Sequence, residues 1–162
     1  MEPDNFADAA VLPISSAAHL LGISVQTLRM YEREGLIIPH KKRSGQRAYS
    51  MKDVERVRCI RRAVNEDRVG IEGVRRVLAL IPCWAIVGCP QQDRDACPAY
   101  TEASAPCWTF KHELNLCATR NCRVCDVYES LGDCQSIKSR LRDLLSAGGH
   151  TAEAGIGLSP HE

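Results

Sequence analysis

The sequence predicts a mainly α chain with a helical N-terminal domain carrying a small β wing, a loop-rich cysteine module and a closing helix. Three observations carry that expectation. Apolar residues recur at helical spacing from Ile14 to Ile81, with one glycine-bounded interruption at 35–50. Eight of the nine cysteines then crowd into the 52 residues from Cys83 to Cys134, a stretch with little periodicity. From Val127 the apolar spacing resumes, at Leu131, Cys134, Ile137, Leu141 and Leu144-Leu145, until Gly148-Gly149.

In the first part, Ser15 is placed to cap a short helix whose Ala17, Ala18, Leu20 and Leu21 form one apolar face. Gly22-Ile23-Ser24 makes a tight turn, and Ser24 caps a second helix with Val25, Leu28 and Tyr31 inward. Gln26, Thr27, Arg29, Met30 and Arg33 are left on its outer face. Two short helices around a three-residue turn are a helix-turn-helix pattern, whose second helix reads the major groove. After Gly35, Leu36–Ile38 and Arg47–Tyr49 read as a short hairpin with its tip near Ser44-Gly45, irregular at Pro39. Its tip carries Lys41, Lys42 and Arg43, with Arg47 behind them, as a phosphate-binding wing would. Ser50 and Asp53 fit a capping box for a third helix along Val54, Val57, Ile60 and Val64. A fourth helix over 70–81 ends at Pro82, and Cys59 reads as a small core residue of the third.

Net charge is only +1, but residues 29–62 hold eleven Lys or Arg against four acids. The stretch from Cys83 to Cys134 has four basic residues against seven acids. A polyanion surface joined to a separate acidic module follows from that asymmetry. No run reaches the roughly 18 apolar residues of a membrane span, and the polar, acidic start MEPDNFADAA is the reverse of a secretory signal. The expectation is a cytoplasmic protein without membrane contact. With no nucleotide loop and no partnered nucleophile and base, it is not expected to be an enzyme.

Three runs in order, Ala18–Ser24 (AHLLGIS), Thr27–Pro39 (TLRMYEREGLIIP) and Gly45–Ser50 (GQRAYS), resemble the DNA-binding domain of the MerR family. The resemblance covers Ile14 to Leu80 and implies a winged helix-turn-helix that binds pseudo-palindromic promoter DNA as a homodimer and distorts it. It implies that Gln26 and Thr27 approach base edges and that Arg29 and Tyr31 contact or orient toward phosphate; Tyr31 and Tyr49 read equally as purely core residues, with a hydroxyl reaching phosphate as the alternative. Lys41, Lys42, Arg43 and Arg47 would act in the wing, with RNA polymerase as a further partner. Relatives dimerise through a helix after this domain, so residues 127–147 are the candidate. Here Pro82 and the cysteine module intervene first.

The module, residues 82–126, opens its two halves alike, with Cys83-Trp84 and Cys107-Trp108. Cys89 and Cys97 precede prolines, and Cys122-x-x-Cys125 closes the set. A reducing compartment disfavours a disulfide framework and leaves metal, cluster or redox chemistry. Thiolates bind soft metals, and a Cys-x-x-Cys grips one ion or cluster from a single turn. The segment resembles cysteine-rich modules of bacterial sensor and regulatory proteins. An iron–sulfur cluster would use Cys83, Cys89, Cys97 and Cys107, or draw on Cys117, Cys122 and Cys125. Two zinc sites would need all seven plus His112 or Cys134, and thiol–disulfide switching is the third option. His112 alone reads as a surface residue. Residues 1–12 and 148–162 read as disordered tails.

Overall fold

A computed structural model describes residues 9–102, 104–131, 134, 139, 142 and 146. A two-residue strand β1 (Leu12–Pro13) leads directly into α1 (Ile14–Leu21), and α2 (Val25–Arg33) follows across the turn. The wing strands are β2 (His40–Lys41) and β3 (Arg47–Tyr49), and the long helices are α3 (Met51–Asn65) and α4 (Ile71–Ala79). β3 is central in an antiparallel sheet ordered β1-β3-β2, pairing Leu12 with Tyr49 and His40 with Ala48.

Local chemistry explains these boundaries. The Ser24 hydroxyl accepts the Thr27 N–H at 3.0 Å and starts α2. Gly35, at φ 70°, ends α2: its N–H reaches Glu32 O at 3.0 Å, and the Leu36 N–H reaches Tyr31 O at 3.0 Å. Ser50 and Asp53 close a reciprocal capping box on α3. The wing tip turns through a Gly45 N–H to Lys42 O bond of 2.9 Å, with Gly45 left-handed at φ 79°. One core unites Ala17, Ala18, Leu21, Leu28, Tyr31, Leu36, Ile37, Tyr49, Val54, Val57, Ile60 and Val74.

Several expectations need correction. Helix α1 begins at Ile14 with Pro13 at its cap position, so Ser15 lies inside it and caps nothing. Leu20 is 45% exposed; the inward face is Ala17, Ala18 and Leu21. Leu36–Ile38 is not a strand, because Leu36 and Ile37 are drawn into the core as the chain leaves α2. The wing pairs one step later, at His40–Lys41, beyond Pro39. Leu12, assigned to a disordered tail, pairs with Tyr49; residues 1–8 and 147–162 lie outside the described residues. Cys59 is not a simple core residue but forms a disulfide with Cys134.

The cysteine module folds as short turns: α5 (Cys83–Ile86), α6 (Gln91–Asp95), α7 (Pro98–Thr101), and 3₁₀ turns at Cys107–Thr109 and Cys122–Val124. Its halves are tied together where Asp93 accepts the Leu116 N–H at 2.7 Å. The closing helix expected over 127–147 is interrupted. α8 spans only Asp126–Glu129, Leu131 lies in a turn, and Cys134 is non-helical where it bonds to α3. Ser139, Arg142 and Ser146 are helical again, and the rest of that stretch lies outside the described residues.

Candidate functional site

Two surfaces carry chemistry, and the second rests on the first. On α2, Gln26 and Arg29 are exposed on the outer face while Leu28 and Tyr31 are buried beneath them. The Thr27 hydroxyl is engaged locally, 2.9 Å from the Ser24 hydroxyl, which leaves Gln26 as the freer side chain at that end. Lys41, Lys42 and Arg43 are exposed along the wing, and none forms an ion pair among the described residues. Arg47 is half exposed and donates its Nε to Glu32 at 2.7 Å, so its terminal nitrogens remain for another acceptor.

The two tyrosines lie inside. Tyr31 is 5% exposed, and burial pushes its phenol pKa upward, partly opposed by Arg61. Tyr49 is 1% exposed and gives its hydroxyl proton to Glu32. Glu32, which the sequence reading passed over, therefore ties the recognition helix to the wing through both Arg47 and Tyr49.

The second surface is a cavity walled by all seven thiols of Cys83, Cys89, Cys97, Cys107, Cys117, Cys122 and Cys125. A segment without periodicity thus brings its cysteines together from both halves. His112 belongs to that wall and is not a plain surface residue. Its Nε2 lies 2.8 Å from Cys107 O and its Nδ1 3.9 Å from the Cys97 sulfur. With Nε2–H donating to the carbonyl, Nδ1 is the lone-pair nitrogen and faces the thiol and the Asn115 amide (3.2 Å).

The thiols differ in acidity. A hydrogen bond from Cys107 holds the Cys83 thiol down to about 7 against the cost of burial, and the same contact pushes Cys107 up. Burial raises Cys117 to about 11 and also raises Cys89 and Cys122. One thiolate that forms near neutrality sits beside four thiols, Cys89, Cys107, Cys117 and Cys122, that resist ionisation.

The module grips the segment between the recognition helix and the wing. Trp108, beside Cys107, donates its indole N–H to Gly35 O at 2.7 Å. Tyr128 accepts the Ile38 N–H on its hydroxyl at 2.8 Å, and its ring meets Trp108 edge-on at 5.2 Å between centroids. Arg123, between Cys122 and Cys125, donates to Ile38 O and places its fork on buried Asp53 at 2.6 and 3.2 Å. Arg56 completes the joint: it stacks 3.7 Å over the Tyr128 ring and donates to Tyr128 O at 2.7 Å. None of these contacts was legible in sequence; the one available signal was a charged residue held inside a Cys-x-x-Cys.

Comparison with known proteins agrees with the geometry of the first surface. Residues 12–81 match the model for the MerR HTH family regulatory protein. Over 73 residues the chain is 36% identical to a putative heat shock protein HspR of Streptomyces coelicolor, covering 45% of this chain and 48% of that one. Over 56 residues it is 39% identical to the HTH-type transcriptional regulator TnrA of Bacillus subtilis, covering 35% of this chain and 51% of that one. The chain spans about half the length of these curated relatives. No solved structure matches it significantly. Residues 12–81, with two helices around a glycine turn and a basic wing behind them, are a MerR-family HTH domain.

Proposed function

We propose that the protein is a transcription regulator that binds double-stranded promoter DNA as a homodimer in the cytoplasm and works with RNA polymerase. Its cysteine module supplies the signal. Gln26, with Thr27 beside it, reads base edges; Arg29, Lys41, Lys42, Arg43 and Arg47 neutralise phosphates; Tyr31 and Tyr49 hold the backbone that presents them. No enzymatic step is part of this reading.

The observation that carries the sensing role is the joint at 35–38. The side chains that hydrogen-bond to it lie within three residues of a cavity cysteine: Trp108 beside Cys107, Arg123 beside Cys122, and Tyr128 three residues beyond Cys125. Any change in how the thiols are bound therefore alters the hydrogen bonds that set α2 against the wing. That is a differential contact between two states, which a population shift requires.

The donor set of seven thiols and one imidazole nitrogen suits a soft metal centre. A tetrahedral zinc with sulfurs at about 2.3 Å brings its ligands within about 4 Å of one another. Among the described residues no three of these seven sulfurs lie within 4.8 Å. Cluster ligands sit on separate iron atoms and are spaced more widely, so the arrangement favours an iron–sulfur cluster over zinc. Such a group would supply a redox- or oxygen-sensitive state, held by some of Cys83, Cys89, Cys97, Cys107, Cys117, Cys122 and Cys125.

Selection of duplexes from a random pool by the full-length protein, purified without oxygen and assayed for iron and zinc, tests both halves. A two-fold symmetric sequence should be enriched, and its affinity should change when the metal is removed. Failure to enrich any sequence would refute the DNA reading, and equal affinity with and without the metal would refute the sensing role.

A further inference from the structure

Outside the seven-thiol cavity, two more cysteines meet. Cys59 lies on α3 and Cys134 beyond α8, with their Cα atoms 5.1 Å apart. Glu55 stands one helical turn before Cys59 on the same face of α3. A Glu55 carboxylate oxygen and the two sulfurs all lie within 4.8 Å of one another, and among the described residues they are the one trio of potential ligand atoms that does. Neither sulfur, nor Glu55, lines the seven-thiol cavity. Cys59 and Cys134 instead border a separate cavity of about 440 Å³ between α3 and α4, with Asp67 also on its wall.

We propose that Glu55, Cys59 and Cys134 form a second, redox-gated cation site that takes a zinc-class divalent ion when the disulfide is reduced. The oxidised pair has no thiolate to offer. Two equivalents of a low-molecular-weight thiol, leaving as their own disulfide, or one phosphine, leaving as its oxide with oxygen and protons drawn from water, supply two electrons, break the S–S bond and leave two thiols. Cation binding then displaces both thiol protons to solvent and yields two thiolate–metal bonds and one carboxylate–metal bond. Three protein ligands leave a fourth tetrahedral position for water.

Three features favour this assignment. Two sulfurs and one oxygen select zinc-class ions over magnesium or calcium, which take oxygen ligands. Cys134 is exposed, and exposed disulfides are the ones readily reduced. Glu55 has little to give up, because its pair with Arg58 at 3.0 Å is half exposed on both sides and such pairs contribute little. The two states have different mechanical effects: the disulfide ties Cys134 to α3 covalently, while the ion holds the same point by exchangeable bonds. The site stands whether or not the chain binds DNA.

The test uses the full chain reduced by a phosphine and freed of it under argon, as wild type, Cys134→Ser and Glu55→Gln. Each is titrated with cobalt(II), then with zinc against a chromophoric chelator. The wild type should bind one more ion per chain than Cys134→Ser, with a sulfur-to-cobalt charge-transfer band. Glu55→Gln should hold that ion at least about tenfold more weakly, a loss that even indirect partners of a metal commonly cause. Oxidation of the wild type with a small disulfide, with Cys59–Cys134 verified by alkylation mapping, should release it. Equal stoichiometry in wild type and Cys134→Ser, unchanged affinity in Glu55→Gln, or retention of the ion after that bond re-forms would each overturn the proposal. The wild-type redox comparison needs no substitution, so a misfolded variant would not protect it.

Discussion

Replacing Arg123 with Ala should undock the cysteine module while leaving the helix-turn-helix folded. The guanidinium makes two bonds to Asp53, at 2.6 and 3.2 Å, and another to Ile38 O. Removing one member of a buried ion pair costs about 3–5 kcal/mol when the survivor is left bare. Asp53 is not left bare: it keeps the Ser50 N–H at 2.8 Å, the Ser50 hydroxyl at 3.1 Å and Arg56 at 3.6 Å. The loss should therefore be smaller, about 2–3 kcal/mol, consistent with one or two charge-assisted bonds. Both tryptophans, Trp84 and Trp108, lie in the module, so their fluorescence follows its docking while far-UV circular dichroism follows the helices. In urea the fluorescence midpoint of Arg123→Ala should fall by about 1 M or more, given a typical slope for a small domain. It should also separate from the dichroism midpoint. Arg123→Lys keeps the charge but loses the fork and should fall in between. A fluorescence midpoint within about 0.2 M of wild type would show that Arg123 does not hold the module in place.

Three further outcomes follow from other contacts. Arg43→Ala should lower the salt dependence of duplex binding by about one unit of slope, and Arg47→Ala by less because Glu32 already neutralises part of its charge; fluorescence anisotropy between low and high salt reads both, and two unchanged slopes would remove the wing from the interface. Gly35→Ala should destabilise the chain by more than about 1 kcal/mol, from its left-handed φ of 70° and from a collision with the Thr109 side chain. Thr109→Ser in the same chain should recover the collision part, and no recovery would count against that contact. In reduced, metal-free protein, mass-mapped iodoacetamide labelling should find Cys83 half-reactive near pH 7 and both Cys107 and Cys117 far slower, with Cys107→Ala shifting Cys83 toward ordinary thiol behaviour. If Cys83 labels no faster than Cys117 at neutral pH, Cys107 does not stabilise its thiolate.

The helix-turn-helix was readable because its signals are local. The Ser24 cap, the Ser50–Asp53 box and the glycine that ends α2 each act within a few residues. Leu20 was misassigned because an apolar residue next to Leu21 was counted on a face that Ala17, Ala18 and Leu21 already fill. β1 escaped notice because two residues carry no period. The convergence of the cysteines was legible in outline from their density. What they dock against was not, because Trp108, Arg123 and Tyr128, in or just after a segment without helical or strand periodicity, find partners 70 to 90 positions away. Cys59 likewise sat in a regular helix with nothing nearby to signal a partner 75 residues downstream. His112 looked ordinary until its ring was found between Cys97 and Cys107.

The short strand β1 has a consequence for how copies of the protein behave when crowded together. A bare wing hairpin would present one side of β3 as an unpaired row of backbone donors and acceptors, open to the sheet of a neighbouring molecule. Leu12 and Pro13 cover that side, and Pro13 has no N–H to offer outward. The opposite border is only His40–Lys41, exposed and basic. Among the described residues no stretch of open edge is long enough to template another strand, so two wings can be brought close without zipping into a shared sheet.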